Sequence, residues 1–303
     1  MADFYGKKHK TKCLIFYIIM LAFPVLQFCV FYIGVNFNSI KLAFSQYDYD
    51  KGVYKLVGFD NFEVLFKSFA EKREMLVALR NSVTVFLLNL VFGTALGVVF
   101  SYYIFRKRAG GKVFKIMLFL PSILSSMVLA VMFKYFSERA IPFAVDKYFH
   151  KSVEGLIANV RTTFPTIIAF SIFVGFGSSV LMYVGAMGNI SDSTLEAARI
   201  DGASPTQEFL RIVVPMIFPT ITSFVVVSTA GIFTNQICLY NFFGPDAEPA
   251  YQTIGYYLYK STQIASIGEY PSLAAFGIIC TVVAVPLTIG VRRLLEKIGP
   301  SVE

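Results

Sequence analysis

The sequence predicts an all-α integral membrane protein with six transmembrane helices. Of its 303 residues 56% are apolar and 15% charged, and the mean hydropathy is +0.64; soluble domains are less apolar and roughly a quarter charged. A hydrocarbon core of about 30 Å needs roughly 20 helical residues. Six apolar stretches satisfy this, at about 13–35, 83–105, 114–136, 164–187, 216–240 and 271–292. No low-complexity linker or repeat period divides the chain, so a single transmembrane domain over 1–303 is expected, with its core at 83–292.

The first helix, 13–35, follows Lys7, Lys8, Lys10 and Lys12. That flank resembles the start of a secretory signal, but the apolar stretch is longer and no small-residue cleavage site follows, so a retained helix is expected. Basic residues fill the short loops: Arg106, Lys107, Arg108 and Lys112 between spans two and three, and Arg292, Arg293 and Lys297 after span six. By the positive-inside rule both termini are expected in the cytoplasm. This bias also accounts for the formal charge of +8, so no nucleic-acid partner is expected.

Outside the membrane lie an extracellular segment at 36–82, a middle one at 137–163 and a last one at 241–270. Acids and bases alternate in the first, which is the only one large enough for structure of its own. Tyr251 to Tyr259 carries apolar residues at near-helical spacing. It reads either as a helix at the interface or outer vestibule, or as a plain surface helix.

Several function classes are disfavoured. Cys13, Cys29, Cys238 and Cys280 all fall in apolar runs, and His9 and His150 are far apart, so neither a metal site nor a catalytic constellation is expected. No Asp, Glu, Lys or Arg lies mid-span, where an ion-coupled carrier commonly holds its coupling ion. The nearest approach to a phosphate-binding loop, Gly110-Gly111-Lys112-Val113, has the wrong last residue and no upstream glycine at the required spacing. If transport is driven by ATP, the ATPase is another polypeptide.

The loop at 188–215 encodes helix, turn, helix. Ser193 with Glu196 forms an expected capping box, Leu195, Ala197, Ala198 and Ile200 supply a short helix, and Gly202 ends it in the left-handed conformation. Ser204, Pro205 and Gln207 make a second box, opening a helix that runs to Pro215. Such an element reads as a knob that docks on a partner, or as an ordinary loop capping its own ends.

The order Glu196-Ala197-Ala198, Gly202, Ile212, Val214, Pro215 resembles the EAA loop of binding-protein-dependent ATP-binding-cassette permeases. Only Val214 departs, standing where that family usually has Leu. The likeness extends through Gly58-Phe59-Asp60-Asn61-Phe62, Asn81-Ser82 and Leu120-Pro121 to Arg292-Arg293, and is greatest to carbohydrate permeases of the maltose, lactose and glycerol-phosphate type. It implies a type I importer permease fold. Glu196, Ala197, Ala198, Asp201, Gly202, Ile212 and Pro215 would form a coupling helix seated in a cleft of the nucleotide-binding subunit. It also implies a second, paralogous permease, two ATPase subunits that use ATP and Mg, and an extracellular solute-binding lipoprotein. This chain itself would bind no cofactor.

A neutral sugar needs hydrogen-bonding groups and aromatic faces at membrane depth. Span four offers Gly175, Ser178, Ser179 and Tyr183, and span five offers Ser228, Thr234, Asn235, Gln236 and Tyr240. The resemblance points by position to Gly175, Ser178, Ser228 and Asn235. Small residues also pack helices together, as expected for Gly93 and Gly97. Glycerol phosphate as solute, a secondary carrier and a membrane scaffold stay open at this point.

Overall fold

The computed structural model describes residues 2–71 and 73–300, and the side chains of 2–11, 69 and 70, with them Lys7, Lys8, His9 and Lys10, lie outside that description. By contacts the chain falls into two compact units, 1–68 with 265–279, and 69–264 with 280–303.

In the first unit, α1 (Ala2–Gln27) passes through a π-helical stretch, Phe28–Gly34, into α2 (Val35–Ala43). Every side chain from Leu14 to Lys41 is exposed. A helix that is apolar all round and unburied needs lipid or another subunit around it. A two-stranded antiparallel hairpin follows, β1 (Ser45–Asp48) and β2 (Val53–Leu56), with Ser45 opposite Leu56. Lys55 lies 3.0 Å from Asp48 and holds its carboxyl below the ordinary range. The buried Asn61, at the start of α3 (Asp60–Glu71), donates to the carbonyls of Ala43 (2.9 Å) and Ser45 (2.7 Å). One amide thus ties the end of span one to the hairpin.

The second unit opens with α4 (Arg73–Leu88), a π-turn at Asn89–Gly93, and α5 (Thr94–Phe105). The helix of span two therefore begins at Arg73, ten residues inside the expected outer segment. Asn81, 1% exposed, donates to the carbonyls of Ala250 and Gln252, and the Ser82 hydroxyl accepts from the Ile254 amide. Asn81→Ala removes both carboxamide hydrogen bonds from a buried position and is expected to destabilise the protein by about 1–2 kcal/mol, read as a lower thermal midpoint in detergent.

Span three differs from the expected straight helix. It consists of α6 (Gly111–Ile123) and a second stretch from α7 (Ser126–Tyr135) through a π-turn at Phe136–Ala140 to α8 (Ile141–Phe149), bent by 104°. Pro121 supplies no backbone donor and Leu124 is extended (ψ 150°), so the ladder stops and restarts at Ser125–Ser126. Span four, α9 (Val160–Met187), is continuous; the Asn159 carboxamide caps it by accepting from the Arg161 amide. It packs along α5 and α6. Gly97 brings α5 against Ser179 and Tyr183, and Gly177 brings α9 onto the Leu118 carbonyl. The buried Ser101 hydroxyl donates across to the Val180 carbonyl at 3.1 Å.

The loop after α9 contains α10 (Asp192–Ile200) and α11 (Pro205–Glu208), the latter continuing through a π-turn at Phe209–Val213 into α12 (Val214–Met216). A 65° bend at Ile217 leads to α13 (Phe218–Ala230). Span five was expected to run to 240, yet its helix stops at Gly231. Residues 231–238 are irregular, Ile237 and Cys238 have φ of +46° and +58°, and α14 (Leu239–Phe243) follows. Non-helical backbone at membrane depth survives only where protein or a wet cavity satisfies it. Here the Asn235 side chain accepts from the Ile237 amide, and Thr253 donates to the Asn235 carbonyl.

After a 3₁₀ turn at Pro249–Tyr251 comes α15 (Ile254–Ile264). Its first turn is buried, with Gly255 pressed against the backbone of Thr234 and Asn235. It is therefore an inserted helix rather than a plain surface one. The last helix is α16 (Tyr270–Ile298). Among the described residues four continuous helices are long and apolar enough to cross a membrane, and six spans result if each bent pair counts as one.

Candidate functional site

Two features of the second unit stand out, a loop and a cavity, joined by α9 and α13. In the loop, the helix starts two residues before the expected position. Ser191, not Ser193, is the cap: its hydroxyl accepts from the Thr194 amide at 3.3 Å, and Ser193 donates to Ser191. The box expected between Ser193 and Glu196 is absent because Ser193 is already inside the helix. The other expectations for the turn are met. Gly202 has φ +79°, its amide donates to the Arg199 carbonyl, and the Ala203 amide donates to the Ala198 carbonyl, the paired bonds of a glycine-terminated helix. Ser204 and Gln207 form the reciprocal box at 2.8 and 3.3 Å.

Apolar burial fixes the loop to the spans. Leu195, Val213 and Ile217 pack with Tyr183 and Met187 of α9 and Val98 of α5; burying one such aliphatic side chain contributes about 1.5–3 kcal/mol. Meanwhile Glu196, Ala197, Asp201 and Gly202 are exposed, Ala198, Ile212 and Pro215 half-buried. Ile200 is 85% exposed on a helix that buries Leu195 at 4%. An isoleucine held that far into solvent by a well-packed element suits a protein contact better than water.

A carboxylate not singled out from the sequence sits beneath this loop. Glu208 is 1% exposed, and its oxygens accept from Arg106 Nη1 (2.9 and 2.8 Å), Arg199 Nε (3.3 Å) and the Tyr102 hydroxyl (3.1 Å). In the sequence Arg106 reads only as one of the basic residues of an inner loop. The only local hint is an acid standing between the capping Gln207 and the apolar Phe209.

The cavity lies farther along the same helices and has a volume of about 320 Å³. Gly175, Ser178, Ser228 and Asn235 all line it, as does Tyr183, whose ring therefore belongs to both the loop core and the cavity wall. Gly175 has open space where a Cβ would stand, in contrast to Gly177, and Gly93 also lines the cavity without close neighbours. Gln236 and Tyr240 do not line it. The Gln236 side-chain oxygen is buried without a hydrogen-bond partner, and Tyr240 packs edge-on against Tyr259 at 5.0 Å. No Asp, Glu, Lys, Arg or His is among the lining residues, which offer hydroxyls, amides and aromatic faces. Among the described residues no group of three His, Cys, Asp or Glu side chains could hold a metal ion.

The chain belongs to the family described as binding-protein-dependent transport system inner membrane component, which matches residues 77–302. This is the family the loop resembles, and with the apolar helices it makes the chain a multi-pass membrane component of a transport system. A probable ABC transporter permease protein of Mycoplasma pneumoniae is 26% identical over 215 residues, 65% of this chain and 63% of the relative, so the match spans less than two thirds of that relative's length. The multiple sugar-binding transport system permease protein MsmF of Streptococcus mutans is 25% identical, over 72% of this chain and 71% of its own. The fold matches that of a chain in a bacterial alginate ABC transporter crystallised with an alginate pentasaccharide-bound periplasmic protein, with a TM-score of 0.77 at 21% identity over 96% of this chain and 97% of the other.

Proposed function

We propose that the chain is one permease subunit of an ATP-driven importer that moves an uncharged carbohydrate into the cell by alternating access. The observation that carries this reading is the shared frame of loop and cavity. Leu195 and Val213 seat the loop on the end of α9, and the same helix supplies Gly175, Ser178 and Tyr183 to the cavity. A displacement of α10 therefore acts on the walls of the solute space without passing through a flexible segment. The multiple-sugar permease among the relatives supports a carbohydrate. The absence of any cation on the cavity wall favours an uncharged glycan over a sugar phosphate.

In this reading the loop faces the cytoplasm, and Glu196, Ala197, Ala198, Asp201, Gly202, Ile212 and Pro215 form and brace the surface that enters a cleft of a separate ATPase. That ATPase uses ATP and Mg; this chain performs no bond chemistry. A second permease completes the solute space and covers part of the exposed spans, and an external binding protein delivers the solute. Closure of the ATPase pair draws the coupling loops together and opens the spans outward. Hydrolysis restores the inward-facing state.

The test is reconstitution with the co-encoded ATPase, second permease and binding protein. Maltotriose and raffinose serve as neutral probes and glycerol 3-phosphate as the anionic comparator. Uptake of a neutral probe that requires ATP is expected. Gly202→Asp is expected to stay in the membrane at normal level, since a side chain there meets no neighbour, but to lose uptake because charge and strain fall on the docking turn. Gradient-driven uptake without ATP, a preference for the phosphate, or normal uptake by the variant would each overturn the reading.

A further inference from the structure

The left-handed glycine at 202 has open space at its Cβ position, so the angle between α10 and α11 is set by the backbone bonds of the turn and by the burial of Leu195. An ion-paired link across the turn adds a directional resistance that non-directional apolar packing does not supply. Across this turn lies Glu208, where α11 ends. Its carboxylate gathers Arg199 from α10, Arg106 from the turn after α5 and Tyr102 from α5 itself. Among the described residues this is the only ion-paired cluster that joins α10 to another element.

We propose that Glu208 is a positioning residue that makes α10 and the inner end of span two move as one body. Displacement of the loop by a docked ATPase is then delivered to α5 as well as to α9 and α13. This rests on the permease reading above. Its physical basis is the cost of a buried carboxylate: nearly full burial is sustained only while its donors stay in place, so the arrangement resists any motion that separates them. The two arms differ. Arg106 is 20% exposed and binds both oxygens, whereas Arg199 is 50% exposed and makes one longer bond. Arg106 thus anchors the acid to span two, and Arg199 fastens α10 to the anchored acid.

A merely satisfied buried acid would affect folding alone; a mechanical tie predicts a distance that depends on nucleotide state. Spin labels are placed at Ser193 on α10 and at Ala109 after span two, both exposed, in the complete complex with its ATPase, second permease and binding protein in nanodiscs. In the otherwise native chain the separation is expected to be the same without nucleotide and after trapping with ATP and vanadate. In Glu208→Gln it is expected to change between the two states by about 2 Å or more, the scale of helix shifts at subunit interfaces. Arg199→Ala leaves Glu208 paired with Arg106, so it retains the fold, and it is expected to give the same change. If Glu208→Gln does not assemble, Arg199→Ala decides alone. State-independent separations in the variants overturn the proposal. A native complex that traps no nucleotide overturns the permease reading, and the coupling role of Glu208 falls with it.

Discussion

Gly177→Ala is expected to unseat span three from span four. A Cβ at this position would run into the carbonyl of Leu118 on α6, and backbone on both sides of the contact leaves no flexible side chain to yield. Overpacking of this kind costs about 1–3 kcal/mol where side chains can adjust, and more where they cannot. The two helices would have to move apart, which also loosens the apolar cluster that Phe114 and Leu118 of α6 share with Phe176 and Val180 of α9. Far less protein should be recovered from the membrane, and its thermal midpoint in detergent should fall. Wild-type yield and midpoint would mean that α6 and α9 do not approach as closely as the geometry requires.

Two residues away, Gly175→Phe is expected to do the opposite: it should preserve the fold and block transport. Its Cβ position has no neighbour within 4 Å and opens into the cavity. A phenyl group there takes a substantial part of about 320 Å³ without displacing packed atoms. It replaces room for a hydroxylated solute with an apolar wall. Thermal midpoint and complex assembly should match wild type while ATP-dependent uptake of the neutral probe falls by about 100-fold, the equivalent of roughly 2.7 kcal/mol. Undiminished uptake would remove this cavity from the solute path. The pair is informative because the two glycines are chemically identical and two positions apart on one helix; only what faces them differs.

The contrast also shows where sequence reasoning stops. Only the family resemblance set Gly175 apart from the other small residues of its span, and Gly93 and Gly97 read alike as packing positions. Gly97 does pack against α9, whereas Gly93 borders the cavity. Helical periodicity alone does not say which neighbour stands opposite.

The break in span five was hidden for a related reason. Residues 231–240 contain Ile232, Phe233, Ile237, Cys238 and Leu239, apolar enough to continue a membrane helix by hydropathy. What unwinds them is remote in the chain: Thr253 satisfies the Asn235 carbonyl from 18 residues away, and the first turn of α15 comes to rest on Thr234 and Asn235 through Gly255. Asn235 consequently reaches the cavity from irregular backbone, while Gln236 and Tyr240, expected beside it, do not line it.

By itself the sequence determined the membrane class, most spans and the helix–glycine–helix loop. These depend on local quantities: hydropathy summed over a window, a left-handed glycine, and the Ser204–Gln207 box closing over three residues. Only the tertiary structure decided the bends at 104° and 65°, the unwound segment and the placement of Glu208. The acid and Arg106 are 102 residues apart. Their pairing is worthwhile only once folding has removed water from both, and no local propensity encodes which distant charge will then be within reach.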